Sequence, residues 1–124
     1  MNPKMFLMWG GIILVVLAVV GFLGLNLGQR VLWFDAYENW AHLILGVVAV
    51  AAAYRLAESG QRTLAWIVGV VALVVGIWGF FVSGRAAPNF FGANLESPID
   101  NLLHVVVGVW GILAARGRAA MRMA

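Results

Sequence analysis

The chain has two histidines, and each one ends a short polar group at the start of an apolar segment. The groups are Glu38, Asn39 and His42, and Asp100, Asn101 and His104. Residues three and four apart lie on one face of a helix, so each group brings an acid, an amide and an imidazole together. Imidazole binds metal ions and haem iron and exchanges protons near neutral pH. Polar side chains are costly in an apolar setting unless they are paired or useful, so we expect any specific chemistry here.

The surrounding sequence has the composition of an integral membrane protein. Of its 124 residues, 64% are hydrophobic and 10% are charged, which is too little polar surface to cover a soluble globule. Residues 6–25 and 64–83 contain no charge, and at about 1.5 Å per residue each segment can cross a hydrocarbon core of about 30 Å. Residues 37–54 and 99–115 are apolar after their polar first turns. We predict an all-α integral membrane four-helix bundle that forms a single domain over residues 1–124.

The second half of the chain repeats the first. A shift of 62 residues aligns the two histidine groups and the glycines that follow them, Gly46 and Gly108. A shift of 58 residues aligns Gly11 and Gly21 of the first predicted helix with Gly69 and Gly79 of the third. These matches predict two tandem two-helix hairpins, about residues 5–57 and 63–116, related by a pseudo-two-fold axis along the membrane normal. The two histidines then lie at equal depth.

The charged residues predict the orientation in the membrane. Basic residues predominate at the end of the bundle that holds both termini and the short connection 56–63. They are Lys4, Arg55, Arg62, Arg116, Arg118 and Arg122. The positive-inside rule places both termini in the cytoplasm, as a multi-pass protein of the bacterial inner membrane, with the histidines near the outer face. The net charge of +3 reflects this topology, and because the basic residues form no separate patch, we expect no nucleic-acid partner.

Most of the polar and small residues have a structural explanation. The predicted structural polar network comprises Asp35, Asn39, Ser97 and Asn101. Its aspartate and its serine are placed to cap the second and fourth helices, with Glu38 and Asp100 in the first turns as in a capping box. Its asparagines can orient a histidine or bond a neighbouring helix. Gly46 and Gly108 continue the same helix faces, where small residues allow close helix packing.

Three hypotheses for the histidines remain open. In the first, His42 and His104 bond to the acids and amides of the motifs and fix the two hairpins together. In the second, they are axial ligands of a haem or a chlorophyll-type tetrapyrrole, with Gly46 and Gly108 clearing space for the macrocycle. In the third, carboxylates and imidazoles form a metal site near the outer face that suits iron, manganese or zinc. The four predicted ligands of that site are Glu38, His42, Asp100 and His104.

The repeated motif also carries a resemblance. Asn-x-x-His-x-x-x-Gly occurs as Asn39, His42 and Gly46, and again as Asn101, His104 and Gly108. In this it resembles an uncharacterised bacterial domain-of-unknown-function family of small four-helix membrane proteins. The similarity spans almost the whole chain, including the glycine-rich first and third helices. It implies the four-helix fold and its topology, and it implies no activity.

The sequence contains no catalytic constellation. Its serines lack a neighbouring base, and no glycine-rich phosphate loop follows a strand. We therefore expect a non-enzymatic protein, a structural or accessory subunit that packs in the bilayer against other membrane subunits or against copies of itself.

Overall fold

The computed structural model describes residues 2–24, 35–82 and 98–117. They form four helices: α1 Pro3–Phe22, α2 Ala36–Arg55, α3 Glu58–Val82 and α4 Pro98–Arg116. All four are long and apolar enough to cross a membrane, which confirms the predicted all-helical bundle and its four spans. The predicted third span began at residue 64, whereas α3 begins at Glu58. The helix is longer than predicted because the charge-free segment 64–83 covers only the apolar part of α3, and the polar residues before it are also helical.

Local sequence explains where α1 and α2 begin. The Asn2 side chain accepts a hydrogen bond from the Met5 amide at 2.9 Å, and Pro3 is the first helical residue, where its missing N–H costs nothing. Asp35 caps α2, as predicted. The predicted cap of α4, Ser97, lies outside the described residues, and Pro98 begins that helix.

Glycines allow the helices to pack as two antiparallel hairpins. α1 packs mainly on α2, and α3 packs mainly on α4. A Cβ atom on Gly11 would lie 2.8 Å from the Gly46 carbonyl oxygen, and one on Gly69 would lie 3.0 Å from the Gly108 carbonyl oxygen. Such distances leave no room for a side chain, so each hairpin depends on backbone contact between its helices.

The bundle has a small interior and a large apolar exterior. The buried core consists mostly of alanines, with Phe6 and Leu7 as its large members. Many large side chains point outward instead, among them Val16, Leu45 and Val71, each about half exposed or more. This distribution is the reverse of a soluble globule and suits a bilayer, where lipid covers the exposed apolar side chains.

One end of the bundle, which we call the basic end, is closed by two neighbouring residues of α3. The Gln61 amide donates to the carbonyl of Ala53 at 2.9 Å and to that of Leu56 at 3.1 Å. The Arg62 guanidinium donates to the carbonyls of Ala115 and Gly117. Helix C-termini leave carbonyls without partners, and α3 thereby supplies donors to the ends of α2 and α4.

Candidate functional site

The opposite end, which we call the histidine end, begins with the capping box of α2. The Glu38 amide donates to Oδ1 of Asp35 at 2.9 Å, and the Asp35 amide donates to Oε2 of Glu38 at 2.9 Å. The predicted capping box is thus confirmed for α2. Glu38 is only 8% exposed, so its carboxylate is held against the helix start rather than extended toward water.

The acid of α4 has a different partner. Nδ1 of His104 lies 2.9 Å from the backbone carbonyl oxygen of Asp100 and 3.4 Å from its carboxylate Oδ1. Asp100 is 4% exposed. Because a carbonyl oxygen can only accept, Nδ1 of His104 is the donor and carries the proton. Asp100 therefore fixes both the tautomer and the ring orientation of His104.

The two histidines face each other between α2 and α4. The ring centroids of His42 and His104 are 6.5 Å apart, with an angle of 30° between the ring planes. In the described residues no Cα atom of α2 lies within 8 Å of one in α4, so side chains alone bridge these two helices. His42 is 9% exposed and the His104 side chain 23%. The two imidazoles are accordingly close, largely buried and at the same end of the bundle.

The acids complete a cluster across the two helices. Oδ1 of Asp100 lies 3.4 Å from Nδ1 of His104, whose ring faces that of His42, and Glu38 is buried one helical turn before His42. The four predicted metal ligands thus lie at the same end of the bundle. Among the described residues, however, no three histidine, aspartate or glutamate side chains are grouped closely enough to hold a metal ion together.

The asparagines pack on glycines of the neighbouring helix. A Cβ atom on Gly21 would lie 1.9 Å from Oδ1 of Asn39, and one on Gly79 would lie 2.0 Å from Oδ1 of Asn101. Each amide oxygen thus faces a glycine Cα–H, a weak donor. Among the described residues neither Oδ1 nor Nδ2 of Asn101 has a hydrogen-bond partner, although the side chain is 0% exposed. The asparagines therefore join the two helices of one hairpin.

The glycines after the histidines lie in the helix seams. A Cβ atom on Gly46 would lie 2.8 Å from the Gly11 carbonyl oxygen, and one on Gly108 would lie 2.6 Å from the backbone nitrogen of Leu73. A neighbouring helix therefore occupies the space that the tetrapyrrole hypothesis gave to a macrocycle edge. The periodicity predicted that these glycines are buried, but it could not tell which partner covers them.

Sequence reasoning missed the contacts of two glycines at the site. Gly21 and Gly79 were matched by the internal repeat, but nothing in the nearby sequence indicates that each contacts an asparagine. The role of Gln61 at the basic end was also missed; the available signal was the one amide in the polar start of α3.

No protein-family model, curated protein or solved structure matches the chain. The site must accordingly be interpreted from its own geometry.

Proposed function

We propose that this protein is a non-enzymatic integral membrane protein, a structural or accessory subunit of a larger membrane assembly. The observation that carries the proposal is the pairing of His42 with His104 between two helices whose backbones remain apart. Polar contacts between membrane helices specify how the helices associate, because their alternative is an unsatisfied group in hydrocarbon. We infer that the histidine cluster holds the two hairpins in register.

The other polar residues of the histidine end support this role. Glu38 is bonded to the start of α2, and Asp100 is bonded to His104. Asn39 and Asn101 pack within their own hairpins. Each of these side chains thus has a contact that stabilises helix starts or helix pairs, as structural polar groups in membranes do.

We further propose that the two hairpins arose by duplication. The contact of Asn39 with Gly21 has its counterpart in that of Asn101 with Gly79, and Gly11 with Gly46 has its counterpart in Gly69 with Gly108. These equivalent contacts support tandem repeats. The resemblance to the family of small four-helix membrane proteins remains a prediction of the motif.

The proposed location is the bacterial inner membrane, with both termini in the cytoplasm. The distribution of basic residues supports it. The chain contains no cysteine, so single cysteines can report topology. An impermeant maleimide should label Tyr37→Cys in intact spheroplasts and Ser59→Cys only after permeabilisation. Both positions are exposed, and the opposite labelling pattern would reverse the orientation.

The structural role is tested by stability in detergent. His42→Ala and His104→Ala should each lower the midpoint of thermal unfolding. The double variant should lower it by less than the sum of the two single effects, because either change alone already breaks the contact between the two histidines. Leu45→Ala, at a position that is 51% exposed on α2, is the matched control. Histidine variants that unfold like this control would refute the proposed role. The accessory role would fail if the protein, extracted in a mild detergent, migrated as a lone monomer.

The tetrapyrrole hypothesis is a second candidate, favoured by one observation. Two imidazoles that bind one iron from opposite sides have ring centroids about 6 Å apart, since the metal–nitrogen bond is about 2 Å, and the observed separation is 6.5 Å. Against it, Gly46 and Gly108 are covered by neighbouring helices. An absorption spectrum of the purified protein tests this hypothesis. A Soret or far-red band that is lost in His42→Ala would establish tetrapyrrole binding.

A further inference from the structure

The bond between His104 and Asp100 prepares one ring nitrogen for a ligand. Since Nδ1 of His104 donates to the Asp100 carbonyl at 2.9 Å, the lone pair of the neutral ring is on Nε2. The two nitrogens lie on opposite sides of the imidazole, so Nε2 points away from that carbonyl. Metal-binding histidines show this arrangement, in which the other ring nitrogen donates to a carbonyl or carboxylate that fixes the tautomer. Asp100 is then an orienting residue and not itself a ligand.

The spacing of the two rings indicates the geometry of that ligand. Two imidazoles on opposite sides of one ion have centroids about 6 Å apart, whereas two imidazoles of a tetrahedral site have centroids about 5 Å apart, for metal–nitrogen bonds of about 2 Å. The observed separation of His42 and His104 is 6.5 Å. The geometry therefore fits a linear arrangement better than a tetrahedral one.

The chemistry of the cluster narrows the choice of ion. Zinc requires about four protein ligands in a closed site, and the described residues contain no group of three histidines or carboxylates that could hold a metal. Imidazole suits copper, and monovalent copper is stable with two nitrogen ligands in a line. The carboxylate of Asp100, with Oδ1 3.4 Å from Nδ1 of His104, would offset the positive charge of the ion in a largely buried site.

We propose that His42 and His104 bind one monovalent copper ion between α2 and α4, with Nε2 as the ligand atom of His104. Copper binding goes beyond the proposed structural function, because the hairpins can be held together by the histidine cluster with or without an ion. The ion would enter from the histidine end, where the His104 side chain is 23% exposed.

A competition titration tests the proposal. The full chain in detergent micelles, kept anaerobic with ascorbate, is titrated with copper against the chromogenic chelator bicinchoninate. We expect one ion per chain, with binding at least 100-fold weaker in His42→Ala and in His104→Ala. Asp100→Asn keeps the backbone carbonyl that accepts from Nδ1 of His104 and removes only the carboxylate charge beside it, so binding should weaken by less than the factor of about 10 that is typical of losing a group that orients a metal ligand. Tyr37→Phe, at an exposed position of the same end, should bind as the unmodified chain does. X-ray absorption should report two nitrogen neighbours in a linear site.

Three results would overturn the proposal. One is equal copper binding in the double histidine variant, which would assign the ion to thioethers such as those of Met5 and Met8 at the basic end. Another is the absence of stoichiometric binding by a folded protein. The third is a four-coordinate site, or zinc that displaces copper. Circular dichroism confirms that each variant is folded, and His42→Gln and His104→Gln replace the alanine variants if those unfold. Histidine variants that melt early in a protein that binds no copper would refute this inference and leave the structural role standing.

Discussion

The two hairpins use the same backbone contacts but different acids. In each hairpin a glycine crossing brings the helices together, and an asparagine packs on a glycine near the histidine end. Glu38 reaches back to the amide of Asp35, whereas Asp100 remains beside His104. Glutamate is one methylene group longer than aspartate. The comparison teaches that, among the described residues, the acids at these equivalent positions contact different groups: one contacts a helix start and the other a histidine.

This difference makes the histidine cluster asymmetric. Hairpin α1–α2 uses its acid to begin a helix. In hairpin α3–α4 the carboxylate of Asp100 lies 3.4 Å from Nδ1 of His104, and the backbone carbonyl of the same residue accepts the proton of that nitrogen. Hairpin packing should therefore respond alike to equivalent mutations in the two hairpins. Equivalent substitutions of the two acids, Glu38 and Asp100, should in contrast have different effects.

The largest effects are expected at the glycine crossings. A Cβ atom on Gly11 would lie 2.7 Å from Cγ2 of Val50, and one on Gly69 would lie 2.8 Å from the backbone nitrogen of Ile112. Gly11→Ala and Gly69→Ala should each reduce the free energy of unfolding by about 1 to 3 kcal/mol, because the helix axes must separate. Denaturation by sodium dodecyl sulfate in mixed micelles measures this change.

Gly10 provides the matched control for the crossing in α1. Its nearest neighbours would be 3.9 and 4.0 Å from an added Cβ, an ordinary contact distance. Gly10→Ala should therefore be neutral, or stabilising by up to about 1 kcal/mol through helix propensity. Equal losses at Gly10 and Gly11 would mean that helix crossing is not the cause, and a loss confined to one hairpin would break the equivalence of the two.

A second prediction concerns the asparagine contacts. The three atoms nearest an added Cβ on Gly79 all belong to Asn101. As a single substitution, Gly79→Ala should therefore destabilise the protein. In the Asn101→Ala variant the same substitution should reduce the free energy of unfolding by much less. We expect a coupling of about 1 kcal/mol or more between the two changes, measured by the same denaturation.

Gly21 and Asn39 form the corresponding cycle in the first hairpin, since the nearest atoms there all belong to Asn39. The coupling should be similar. Additive effects in both cycles would show that the asparagines relax without cost and do not join the helices.

The sequence predicted the spans and the buried faces better than it predicted partners. Hydropathy and helical period located all four helices and placed the histidines on buried faces, because both depend on the sequence of a single helix. The capping box at Asp35 and Glu38 was predictable for the same reason, since it is local. Close packing of a helix on Gly46 was predicted and is confirmed, but the sequence left a macrocycle edge as an alternative and did not identify α1 as the neighbour, because burial does not specify which neighbour covers a residue. Nor could the sequence predict the 6.5 Å separation of the histidine rings, which depends on how two hairpins associate.

The smallest expected effect tests the reach of the acid directly. Glu38→Asp shortens the side chain, so its carboxylate should no longer accept from the Asp35 amide, and we expect a loss of about 0.5 to 1 kcal/mol in the free energy of unfolding. Glu38→Gln keeps the length and an acceptor oxygen, so its loss should be smaller. The stability of both variants is compared in the same micelles. If Glu38→Gln were the more damaging change, the negative charge of Glu38, acting on the imidazoles and the helix start, would matter more than its length. The length of the side chain would then not explain the difference between the two hairpins.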